Sequence, residues 1–87
     1  MDLVITFSRS AFKHGVSKDD IRRVFALKLF DHPMEGAEEK NLLVGFDTHA
    51  NLIEVLYHVV DDDTVRVFYA MPCRNTFIEM IDGEQDA

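Results

Sequence analysis

At 87 residues, 47% of them hydrophobic, the chain has room for one small core and one domain, and none for a large cofactor cleft. Its net charge of −7 opposes polyanions at long range, which disfavours general nucleic-acid binding. One cysteine, Cys73, excludes an intramolecular disulfide and points to a reducing compartment.

The charge is unevenly spread. Residues 1–28 hold six basic side chains (Arg9, Lys13, Lys18, Arg22, Arg23, Lys28) against three acidic ones, whereas residues 29–87 hold three basic against 13 acidic. A local basic patch is therefore confined to the N-terminal third, while the acidic remainder favours solubility. The apolar start Leu-Val-Ile-Thr-Phe lacks a basic flank, and no run approaches the roughly 18 apolar residues of a membrane span. A soluble, cytoplasmic protein is expected, with no membrane association and no secretory leader.

In chain order, residues 3–7 are rich in β-formers and read as a short strand. Ser8 is placed to cap a brief helix over residues 9–14, and Gly15 supplies the positive-φ conformation that stops it. Ser17 caps a second helix over residues 18 to about 29, with Asp20 favouring its N-terminus and Ile21, Val24, Phe25 and the Lys28 stem at helical spacing. Asp19 and Arg23 form an acid-before-base pair four apart. Residues 31–40, with Pro33, Gly36 and three glutamates, read as a loop.

Three strands are predicted next, over residues 42–46 (broken by Gly45), 52–60 and 64–71, the last two joined by Asp61-Asp62-Asp63. Alternation puts Ile53, Val55, Tyr57 and Val59 on one face of the longest strand. In the following strand it opposes Val65, Val67, Tyr69 and Met71 to Arg66, Phe68 and Ala70. Pro72 ends the pairing. Residues 74–81 can add a short C-terminal helix. The expected fold is a single α+β domain over residues 1–81, two N-terminal helices packed on an antiparallel β-sheet, followed by an acidic tail over residues 82–87.

No metal or cofactor motif is present: His14, His32, His49 and His58 lack zinc-ligand spacing, and there is no phosphate loop or nucleophile elbow. Metal-free RNA cleavage suits a chain this small, because the ribose 2′-hydroxyl is the nucleophile. The protein supplies only a base, an acid and cationic donors. Lys13, His14, His58, Arg66 and Arg74 are the candidates, with Tyr57 and Tyr69 as weaker proton donors. Structural roles stand beside each. His14 can cap helix carbonyls, His58 can pair with the aspartate turn, Arg66 can bridge Glu54 or that turn, and both tyrosines can be core aromatics.

The run Lys13-His14-Gly15-Val16-Ser17, followed by Asp20-Ile21 and Val24-Phe25, resembles the corresponding element of the BrnT toxins, small RelE-like ribonucleases paired with an antitoxin. Val55-Leu56-Tyr57 and Val65-Arg66-Val67-Phe68-Tyr69-Ala70 are similar to two of that family's strands, so the likeness spans residues 12–74. It implies a RelE/BrnT-like fold, metal-independent ribonuclease activity with RNA as substrate, and a ribbon-helix-helix antitoxin as partner. The implied functional set is Lys13 and Arg66 on the phosphate, His14 as base or acid, and Arg74 neutralising charge. Two arginines of the family pattern are replaced here, by Val60 and Met71. Those replacements and the acidic balance motivate the alternatives: a non-catalytic interaction domain, self-associating or antitoxin-binding, or an acidic mimic of nucleic acid.

Overall fold

The computed structural model describes residues 3–34 and 40–73. Along the chain lie β1 (Val4–Phe7), a 3₁₀ turn (Arg9–Phe12), α1 (Lys18–Ala26), β2 (Lys28–Pro33), β3 (Lys40–Phe46), β4 (Leu52–Asp61) and β5 (Thr64–Pro72). The strands form one five-stranded sheet in the order β1-β5-β4-β3-β2. β1 runs parallel to β5, and the other neighbours are antiparallel. Among the described residues no helix is long and apolar enough to cross a membrane.

α1 lies on one face of the sheet. Its Ile21 and Val24 are fully buried against Leu43, Val55 and Val67, a burial that contributes about 1.5–3 kcal/mol per large side chain. Ser17 starts this helix: its hydroxyl accepts the Asp20 N–H at 3.2 Å and donates to Asp20 Oδ2 at 3.0 Å. On the opposite face a smaller apolar cluster gathers Leu42 and Val44 with Phe30, Leu52 and Leu56.

This architecture corrects the expected one. Instead of two N-terminal helices on an antiparallel sheet, the described residues form one helix and a single 3₁₀ turn beside a mixed five-stranded sheet. The segment before Gly15 is too short to nucleate a helix by itself, and its polar groups bond to the edge of β5 instead. Ser8 N–H donates to Val67 O at 2.8 Å, and the Ser10 hydroxyl donates to Phe68 O at 2.6 Å. α1 also ends earlier than its propensity suggests. Its last turn abuts Gly45 of β3, Phe46 N–H reaches Leu27 O at 3.4 Å, and from Lys28 the chain pairs with β3 as an edge strand. Gly45 thus sits inside a paired strand rather than breaking it, and residues 31–33 are strand rather than loop. Arg22, not Arg23, meets Asp19, at 3.6 Å. The short C-terminal helix predicted over residues 74–81 and the tail over 82–87 lie outside the described residues.

A second correction concerns phase. β5 carries a bulge: Leu56 pairs with Tyr69 and Tyr57 with Val67, so Phe68 is an extra residue. One inserted residue reverses the alternation beyond it. Ala70 consequently joins Val65 and Val67 in the core, while Tyr69 and Met71 turn to the other side.

Candidate functional site

The Lys13-His14 element is held by its neighbours. Gly15 N–H donates to Phe12 O at 3.2 Å, Gly15 itself adopts φ 81°, and Val16 plugs into the core beyond it. Lys13 and His14 are thereby left exposed at the joint. The His14 and Tyr69 (β5) rings meet edge to face, centroids 5.4 Å apart at 71°, and the Tyr69 hydroxyl donates to Met71 Sδ. Next to this contact is an open groove of about 470 Å³ whose lining includes His14, Asp20, Asp47, Asn51 and Cys73.

The carboxylates of that groove are committed to loop structure. Asp20 Oδ1 accepts the Thr48 N–H at 3.1 Å and the Thr48 hydroxyl at 2.5 Å, which ties α1 to the β3–β4 turn. The Thr48 hydroxyl, followed by its N–H, holds the Asp20 carboxyl below the usual carboxylate pKa range. Asp47 Oδ1 accepts N–H bonds from His49 at 2.8 Å and Asn51 at 2.9 Å. Asp20, Asp47 and His49 offer ligand atoms within 4.8 Å of one another, but the hydrogen bonds explain why they converge. They close the turn and fasten it to the helix.

On the sheet face away from α1, register builds a polar row. Lys40 on β3 pairs with His58 on β4, His58 with Arg66 on β5, and Arg66 with Thr6 on β1. Directly opposed residues share a face, so the row crosses four strands. Phe68, raised at the bulge, stacks on His58 with centroids 4.4 Å apart and planes at 25°. Lys40 Nζ lies 5.7 Å from the Phe68 ring centroid.

No family model, curated protein or solved structure matches this chain. The site therefore stands on its own geometry.

That geometry splits the predicted residues into two groups on β5. His14, with Lys13 beside it in sequence, adjoins Tyr69; Arg66 stands three residues earlier, roughly 10 Å along an ideal strand, within the Lys40–His58 row. Arg74 lies outside the described residues. Arg66 does not bridge Glu54, which pairs with Met71 and stands four residues from His58 on β4, buried in the sheet face. Tyr57 is a core residue whose hydroxyl donates to Asp31 Oδ1 at 2.7 Å, and burial, followed by Asp31, pushes its phenol pKa up. Lys40 and Phe68 were not legible as site residues. Their place depends on strand register and on a bulge, and neither leaves a motif in the sequence.

Proposed function

We propose that this chain is a metal-independent endoribonuclease of the toxin type, similar in role to the BrnT toxins and neutralised by a ribbon-helix-helix antitoxin. One observation supports it most: β5 carries both the His14–Tyr69 contact and, three residues away, Arg66 in its row with His58 and Lys40. Proton-carrying rings and cations thus line a single strand on which an RNA backbone can lie. In this reading Lys13 and Arg66 hold the phosphate and offset the charge that builds on it. His14 takes the proton of the 2′-hydroxyl, whose oxygen attacks the adjacent phosphorus and expels the 5′-oxygen, leaving a cyclic phosphate and, once protonated, a 5′-hydroxyl.

Induced expression of the chain alone in a bacterial host tests the proposal, with Arg66→Ala and His14→Ala alongside. Growth arrest by the parent, relief by both variants, and cleavage of RNA but not its 2′-deoxy counterpart by purified protein in chelator are expected. Arrest by the variants equal to that of the parent refutes the assignment.

The groove favours a second reading. Asp20 and Asp47 share its wall with His14, and carboxylates there oppose a phosphate. On this reading the protein is a binding-only domain that engages its antitoxin without cutting RNA. Soluble, folded chain that causes no arrest yet binds the antitoxin would support it.

A further inference from the structure

We propose that Phe68 and His58 form a nucleobase-stacking site on the exposed sheet face, with Lys40 and Arg66 holding the flanking phosphates of a single-stranded RNA. The identity of the ligand rests on the RNA reading above; the stacking surface is an independent feature of the fold.

The bulge creates the surface. Phe68 is the extra residue of β5, and its ring lies nearly parallel to His58 at 4.4 Å, so the two rings are stacked face to face rather than interlocking edge to face, and a base can continue that stack on an outer ring face. The Phe68 ring is partly exposed, and the Lys40 ammonium sits over it at 5.7 Å. An exposed lysine on a flexible stem is readily displaced. A base that slides onto Phe68 gains the larger contact, and the freed ammonium moves to the phosphate beside it. Arg66, the partner of His58 in register, supplies a guanidinium on the other flank.

The limits of the platform define how much it holds. Away from the turn the face becomes apolar, with Leu42, Leu56 and Tyr69 in register. In the other direction Asp61-Asp62-Asp63 repel a phosphate. The space between fits one or two nucleotides of a flexible strand, and not a duplex, whose bases are already stacked. Recognition through a ring face tolerates any base, so the site provides grip on RNA rather than sequence choice.

The test uses the intact chain at low salt and two labelled strands of equal length, a 2′-O-methyl oligoadenylate and its abasic counterpart. Neither can be cleaved through a 2′-hydroxyl. Fluorescence anisotropy should show the base-bearing strand bound about tenfold more tightly by the parent. Phe68→Leu should bring that ratio close to one, and Phe68→Tyr should keep it. Arg66→Gln should weaken both strands alike and lower the salt dependence by about one counterion. Equal affinity of the parent for both strands, or a ratio unchanged in Phe68→Leu, overturns the stacking site. A parent that keeps the ratio but leaves unmodified RNA intact supports the stacking site and removes only the nuclease reading. RNA cleavage with a ratio of one removes only the stacking site.

Discussion

Gly45→Ala should destabilise the protein sharply, although the residue gained is a methyl group. A Cβ at this position would stand 2.7 Å from Leu27 O, 2.8 Å from Val24 O and 2.9 Å from Lys28 Cα, whereas ordinary contact begins near 3.4 Å. All three are backbone atoms, so no side chain can rotate away. The end of α1 must retreat by roughly half an ångström from a core that packs without slack. Overpacking of this kind costs about 1–3 kcal/mol. The alanine recovers about 0.5–1 kcal/mol by restricting the unfolded chain. Three backbone contacts under 3.0 Å put the overpacking cost in the upper part of its range, about 2–3 kcal/mol, so the net loss is about 1–2.5 kcal/mol, which lowers Tm by about 4–20 °C in a domain of this size. Calorimetric melts and urea titrations, with the m-value checked for constancy, read this out. Gly15→Ala is the control: its Cβ would meet nothing within 4 Å, so its cost comes only from holding φ 81° and should be about 1 kcal/mol. A Gly45→Ala protein that melts at or above the parent temperature would show that α1 does not seat on β3 as described.

Tyr57→Phe removes the hydroxyl bonded to Asp31 while keeping the ring against Phe25, and should cost about 1–2 kcal/mol in urea denaturation. Because the folded phenol pKa is raised, the hydroxyl's contribution is complete below about pH 10 and declines as pH rises from there through the folded value. The gap between parent and variant should therefore narrow in alkali, and a constant gap would contradict the burial of that phenol. Asp20→Asn tests the opposite sign. The folded carboxyl pKa is depressed, so its stabilisation is present above about pH 4 and is lost as pH falls through the folded value. Midpoints of the two proteins should converge in acid; a separation that persists there would mean that the Thr48 bonds do not act through the charge.

The elements legible in the sequence are those whose determinants are local. Ser17 and Gly15 marked the start of α1 and the joint before it, and both act through their own backbone and immediate neighbours. The β4–β5 hairpin was equally readable, because Asp61-Asp62-Asp63 separates two long runs of β-formers. β2 was not. Lys28 and Leu29 favour helix, Asp31 and Pro33 favour a turn, and only the open edge of β3 makes a strand of them. The parallel partnership of β1 was hidden for the same reason, since nothing near residue 5 records what stands beside Val65. Within the candidate site, His14 and Arg66 drew notice by residue type. Lys40 joined them only through register; alternation alone sets Phe68 on the face of Arg66 but does not give its stack on His58, and the bulge reversed the expected roles of Tyr69 and Ala70.

The parallel pairing of β1 with β5 also governs when the molecule can be completed. Thr6 reaches across 59 residues to the carbonyl of Val65, so the first strand made waits for the last described one. At translation rates of about 5–20 residues per second, that wait lasts several seconds on the ribosome. The β3–β4–β5 meander closes through nearby contacts and is expected to form early, leaving β1 to dock onto a finished edge. Until it does, the β5 edge is open to any extended segment. Extensions fused ahead of residue 4 would meet this late step directly, and a nascent chain halted before residue 64 would present β1 with no partner at all.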